Sequence, residues 1–231
     1  MSIWEKLGAV IAAIGSGGQK VIDSVVSAVT GGNDRQPVAF TVSMIALTAK
    51  MAKADGIVTP DEIDAFRELF EMPPGEERNV ARLFNLAKQD VAGYEYYANR
   101  IARLFADDVQ TREDILDGLF HIAKADGILH EAELAYLERV AEIFEIGAAH
   151  FRCIKARHVG ADAADPYMIL EIEHTAGDDE VKRHYRRLVA ETHPDRLIAR
   201  GVPEEFVRIA NDRLAAINAA WAKIRAERGI S

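Results

Sequence analysis

An all-α fold is predicted for this chain by three features of its sequence. Apolar residues fall at three- and four-residue intervals from Val38 to about Gly160 and again after Asp165, the spacing of helices with one buried face. The same stretches are rich in Ala, Leu, Glu, Lys and Arg, which form helices readily. Helix stop and start signals recur between them, such as Asp55-Gly56 followed by Thr59-Pro60-Asp61-Glu62.

The 231 residues suffice for one large or two small domains. Hydrophobic residues at 49% and charged residues at 28% are ordinary for a soluble globular protein. The net charge of −9 argues against nucleic-acid binding, which needs clustered excess cation. The acidic part is the front: residues 1–164 hold 17 Lys and Arg against 25 Asp and Glu, whereas from Asp165 onward the counts are 11 and 12. Cys153 stands alone in the sequence, so neither an intrachain disulfide nor a cysteine zinc cluster can form. It lies in a helical stretch and reads as a small packing residue. This usage suits a reducing compartment, and a cytoplasmic location is expected. No motif calls for a cofactor.

Residues 1–37 read as an amphipathic arm and linker. Trp4, Leu7, Ile11 and Ile14 recur at helical spacing, Gly15-Ser16-Gly17-Gly18 interrupts, and Val21, Ile22, Val25, Val26 and Val29 resume. Gln19, Lys20 and Asp23 break the run short of the about 20 apolar residues that a membrane span needs, so no transmembrane helix is expected. The arm is expected to pack on its own domain or on a partner, a second copy included. Membrane-surface docking is the alternative. Gly31 to Pro37 reads as the linker.

Residues 38–157 are expected to form a bundle of about seven helices around an internal repeat. Ala52-Lys53-Ala54-Asp55-Gly56-Ile57 recurs as Ala123-Lys124-Ala125-Asp126-Gly127-Ile128, 71 residues later. Each copy reads as helix, tight turn, helix, with the glycine free to take a left-handed conformation. Thr59 is a good cap with Pro60 behind it, and His130 is a poorer one. The isoleucine after each glycine is expected to anchor the turn in the core. Asp55, Glu62, Asp126 and Glu133 could together attract a divalent cation if the halves pack face to face. Their spacing does not fit the twelve-residue calcium loop, so the favoured reading is capping and a solvated acidic face, with no metal. The twin segments resemble the TerB-like (tellurite-resistance-associated) family over roughly residues 38–155. That resemblance implies an all-α fold with an interaction or sensing role.

After a hinge at 158–164, Asp165-Pro166-Tyr167 opens a short helix. Acidic residues at Asp178-Asp179-Glu180 start the next, which runs to about Thr192. Val181, Tyr185, Leu188 and Val189 form its apolar stripe. Lys182, Arg183, Arg186 and Arg187 occupy the other side as two i,i+4 pairs of one sign. Such repulsion is unexpected on an ordinary solvated face, and the stripe suits an acidic protein partner. It leads to His193-Pro194-Asp195, with Arg196 behind. Proline cannot sit inside a helix and holds the residue before it extended, so the tripeptide reads as an exposed connection. Leu197 to Val202 reads as a loop, Pro203-Glu204-Glu205 as a helix start, and Phe206, Ala210, Leu214, Ile217, Trp221 and Ile224 as one face of a long final helix packed antiparallel on the basic one.

Residues 165–231 resemble the J-domain of DnaJ-type co-chaperones. The resemblance is carried by Asp165-Pro166-Tyr167-x-x-Leu170-x-Ile172, Val181-Lys182-Arg183-x-Tyr185-Arg186-Arg187-Leu188, His193-Pro194-Asp195-Arg196 and Ile217-Asn218-x-Ala220-Trp221. Glu171 stands where that family usually has Gly, and Glu191-Thr192 replaces its usual basic–aromatic pair. With the TerB-like part in front, the whole resembles a DjlA-type co-chaperone, a pattern that is membrane-anchored. The expected architecture is therefore a TerB-like helical bundle followed by a C-terminal J-domain hairpin. The resemblance implies docking on a DnaK-type chaperone through Lys182, Arg183, Arg186, Arg187, His193, Pro194, Asp195 and Arg196, with stimulation of the partner's ATP hydrolysis. The chain itself is expected not to be an enzyme, and any client falls to the front domain. The alternative is a stress- or metal-sensing adaptor, centred on the repeat, that recruits the chaperone.

Overall fold

The computed structural model describes residues 35–54, 60–69, 75, 77–89, 93–158, 164–200, 202 and 207–230. Their regular structure is helical, with no strand among them. The arm, the first copy's turn with Asp55, Ile57 and Thr59, residues 159–163 of the hinge, and Pro203 to Phe206 lie outside the described residues, as does the side chain of Glu62.

Seven described helices make the front bundle: α1 Arg35–Ala54, α2 Pro60–Leu69, α3 Glu77–Gln89, α4 Tyr94–Leu104, α5 Val109–Ala123, α6 Glu131–Ile143 and α7 Ala148–His158. Helix α1 starts at Arg35, so the end of the expected linker is helical; proline is tolerated at Pro37 because the first turn needs no N–H donor there. Helix α7 likewise carries through His158, the first residue of the expected hinge. Asp108 caps α5 by accepting the Thr111 N–H at 3.0 Å. Every residue from Thr111 to Phe120 is buried, which makes α5 the central helix. The Tyr136 hydroxyl on α6 donates to the Leu47 carbonyl on α1 at 2.8 Å, which joins the two copies of the repeat.

Four helices complete the chain: α8 Pro166–Ile169, α9 Asp178–Glu191, α10 Pro194–Ala199 and α11 Val207–Arg228. Helices α9 and α11 form an antiparallel hairpin. At its open end Arg228 donates to the Tyr167 hydroxyl (2.7 Å), the His174 carbonyl (2.6 Å) and Asp178 (3.2 Å). Midway, Tyr185 stacks on Trp221 with ring centroids 4.8 Å apart and donates to Asn218 at 2.9 Å. Val181, Leu188, Ile217 and Ile224 of the two predicted stripes fill the core between them together with Ala220, with Trp221 packed against it, while Ala210 of the predicted stripe is buried in the front core instead.

The two cores interlock. Leu197, Val202, Ile209 and Ala210 from the hairpin's closed end are buried in the core of the front bundle, and Ala156 of α7 belongs to the core of the hairpin. At Gly118 of α5 an added Cβ would meet Met44 of α1 at 2.7 Å and Ile209 of α11 at 3.0 Å, so the glycine lets α1 and α11 share one patch of α5. Because Leu197 is a member of the front core, Leu197→Ala is expected to destabilise the chain by about 2–5 kcal/mol. Urea unfolding followed by far-ultraviolet circular dichroism reads this as a lowered midpoint.

Candidate functional site

The closed end of the hairpin is built by two helix termini. Thr192 ends α9, its N–H bonded to the Leu188 carbonyl at 2.9 Å. His193 then takes an extended backbone (φ −60°, ψ 135°), as a residue before proline must. Pro194 falls in the first turn of α10, where its missing N–H and fixed φ suit a helix start. The tripeptide is thus the beginning of a short helix, and Leu197 to Ala199, expected as loop, are helical. The imidazole caps α10: Nδ1 accepts the Asp195 N–H at 3.3 Å. The Asp195 carboxylate sits at the positive end of that helix with 86% of its side chain exposed, and 55% of the His193 side chain is exposed.

The basic stripe faces outward. Arg183, Arg186 and Arg187 are solvent-facing and Lys182 is half-buried. Arg187 donates to the neighbouring His184 ring at 2.9 Å. A shallow groove lined by Tyr185, Arg186, Val189, Ala190, His193 and Arg196 joins α9 to the tip. It brings Arg186, His193 and Arg196 together, and Lys182 lies one turn behind Arg186 on the same row of α9.

The acidic residues of the second repeat copy are committed to their own turn. Asp126 accepts the Ile128 N–H at 2.9 Å, and the buried Glu133 accepts the His130 N–H at 2.9 Å. Among the described residues no three His, Cys, Asp or Glu side chains gather as metal ligands. Gly127 is left-handed at φ +85°, as a helix stop requires. Ile128, expected to anchor the turn, is instead 60% exposed. The hydrogen bond from its N–H to Asp126 sets the turn, and Leu129, the next residue, packs on the core in its place.

A second cluster, which the sequence does not announce, lies beneath the tip. Glu113, Asp114 and Asp117 are buried on α5. Asp114 accepts from Arg200, the residue that ends α10, at 2.5 Å. Arg213 of α11 lies 3.5 Å from Glu113 and 3.7 Å from both Asp114 and Asp117. From α7, Arg157 approaches Asp117 at 3.5 Å, His158 at 2.8 Å, and His150 meets Glu113 at 2.9 Å. Burial pushes the Asp114 carboxyl up to about 6, against the pull of Arg200 and Arg213. Burial also raises Asp117, but Arg157, His158 and Arg213 outweigh it and hold it well below the usual carboxylate range. Two faint signals accompany the cluster in the sequence, three acids within five residues of one helix and an arginine between Ala210 and Ile217 on an apolar face, and neither by itself indicates burial.

A hairpin that displays His-Pro-Asp beside a cationic helix face, seated on an acidic all-helical bundle, is the architecture of a J-domain co-chaperone. Residues 41–156 match the family model of tellurite resistance protein TerB, and residues 165–221 match that of the DnaJ domain. Co-chaperone protein DjlA of Photobacterium profundum is 30% identical over 216 residues, covering 82% of this chain and 78% of that protein. Its counterpart from Shewanella oneidensis is 31% identical over 216 residues, covering 85% and 80%. No solved structure matches the chain. The chain belongs to the DjlA family of co-chaperones.

Membership corrects the expected cytoplasmic location, because the DjlA pattern is membrane-anchored. Cysteine usage reports the redox state around a domain and says nothing of what tethers it. Among the described residues no helix is long and apolar enough to cross a membrane.

The cluster gives the fold a pH signature. The Glu113 carboxylate raises the His150 pKa above its ordinary value, against the effect of burial. A histidine raised on folding adds stability that is complete below its unfolded value of about 6.5 and is lost as pH climbs through the folded one. His158 has the opposite sign, since burial lowers it and the folded state resists its protonation on acidification. The urea midpoint of the wild type minus that of His150→Gln should therefore shrink as pH rises through this range, a difference that separates the His150 contribution from the opposing one of His158.

Proposed function

We propose that the tip and the basic face of α9 dock on the ATP-bound form of a DnaK-type chaperone and stimulate its ATP hydrolysis. The observation that carries this reading is the solvent-facing Asp195 at the end of an exposed cationic stripe. Lys182, Arg183, Arg186 and Arg187 steer onto an acidic surface, which raises the association rate and fixes orientation. Asp195 pairs with a cation of the partner in a charge-assisted contact. His193 uses Nδ1 to cap α10, which leaves Nε2 for the partner, while Pro194 fixes the backbone and Arg196 extends the contact along the groove. The chain makes and breaks no bond itself; it biases the conformations of the chaperone. The front bundle serves as the interaction or targeting module. The metal-sensing alternative is not favoured, because Asp126 and Glu133 are used inside one turn.

Single-turnover ATP hydrolysis by the cognate chaperone tests this. The wild-type chain should stimulate it. His193→Gln and Asp195→Asn should abolish the stimulation while circular dichroism shows both still folded. Arg186→Ala with Arg187→Ala should weaken half-saturation by about tenfold and flatten its salt dependence. Equal stimulation by wild type and the Asp195 variant would reject the proposal.

A further inference from the structure

We infer that Glu171 is an inter-domain clamp, a positioning residue that fixes how the tip is presented relative to the front bundle. The turn that ends α8 is closed by hydrogen bonds from Glu171 N–H to the Met168 carbonyl and from Ile172 N–H to the Tyr167 carbonyl, both 3.0 Å. That closure places Glu171 in the left-handed region at φ +57°, where glycine is the residue of least strain. The turn is closed by backbone groups alone and needs no side chain at this position. The glutamate is explained by what its carboxylate reaches.

Its two oxygens leave their own domain. One lies 3.4 Å from Arg157 and the other 3.6 Å from His150, both on α7 of the front bundle. Those two side chains also hold Asp117 and Glu113 of α5. Glu171 therefore completes the charge balance of the buried cluster from the hairpin's side. The hairpin is also gripped near its closed end, where Asp114 holds Arg200, Arg213 meets all three α5 acids, and Leu197, Val202, Ile209 and Ala210 enter the front core. Glu171 adds a charged tie from α8, the element that precedes the hairpin. Together these ties fix the direction in which His193 and Asp195 face. Whatever the front bundle holds is thereby presented at a set angle to a chaperone docked on the tip.

The test uses the full chain with Cys153→Ser and spin labels at two exposed sites, Glu138→Cys on α6 and Glu227→Cys on α11. Glu171→Gln keeps the side-chain shape and removes the charge. Glu171→Gly removes the side chain and also relieves the left-handed strain. If Glu171 served only its turn, glycine would be neutral or better. As a clamp, both variants should give a label-to-label distance distribution about twofold broader than wild type, with Glu171→Gly no less heat-stable than Glu171→Gln. An unchanged distribution in both variants overturns the inference.

The second readout rests on the co-chaperone reading. Half-saturation of ATPase stimulation should weaken by about threefold, as for one partly exposed ionic contact, with the plateau unchanged. Broadened distances with unchanged half-saturation would overturn the positioning role. Failure of the wild type to stimulate at all would instead sink the co-chaperone reading, leaving the clamp to be judged by the distances.

Discussion

Three carboxylates on one buried helix must each meet a cation, and that requirement governs what packs around α5. A buried ion pair adds little net stability, but removing one partner strands a charge at a cost of about 3–5 kcal/mol. Glu113, Asp114 and Asp117 therefore tolerate few arrangements of their neighbours. Arg157 and the two histidines come from α7, within the bundle. Arg200 and Arg213 come from the hairpin, and they are the cations beside Asp114, so that carboxylate is matched only when the hairpin is seated. Leu197, Val202, Ile209 and Ala210 supply apolar contact, which is non-directional and would allow sliding. The ionic pairs select one register from those that the apolar contact permits.

This arrangement makes the tip a rigid element. Helix α10 has six residues, too few to be stable alone. It is capped at one end by His193 and tied at the other through Arg200 to Asp114. Between these ends Leu197 is buried while Asp195, two residues earlier, faces solvent. A docking group on a braced helix loses little conformational freedom on binding, which is how preorganisation raises affinity.

What is legible in the sequence is local. The apolar stripes of α9 and α11, the cationic row beside them and the proline-braced tip are periodic or covalent facts of neighbouring residues. The left-handed Gly127 follows from its place between two helical runs. The α5 acids are not legible, because a carboxylate in a sequence ordinarily means solvent. Only a partner about 85–100 residues away, such as Arg200 or Arg213, makes its burial tolerable. Ile128 departs from expectation for a related reason. An aspartate two residues earlier captures its N–H and sets the turn, so the next residue takes the core position. The short helix after the tip escapes a periodicity argument because Leu197 and Ile198 show no period over so few residues.

Glu171 belongs to a pattern that recurs once more. Among the described residues two non-glycine residues have positive φ, Glu145 and Glu171, and both close the C-terminal end of a helix. Each carboxylate reaches a buried arginine: Glu145 lies 3.4 Å from Arg112 on α5, as Glu171 does from Arg157 on α7. A non-glycine residue held left-handed costs about 1–3 kcal/mol, whereas a buried arginine left without an anion costs about 3–5 kcal/mol. That comparison favours glutamate over glycine at Glu145, the anion beside Arg112. Arg157 also meets Asp117 at 3.5 Å, so Glu171 is its second anion, and what Glu171 adds over glycine is the tie to α7. The two sites differ in what they join. Glu145 ties α6 to α5 within one bundle, so its strain is offset inside a single domain. Glu171 ties α8 to α7 across the domain boundary, so the strain in its turn is offset only while the hairpin stays on the bundle.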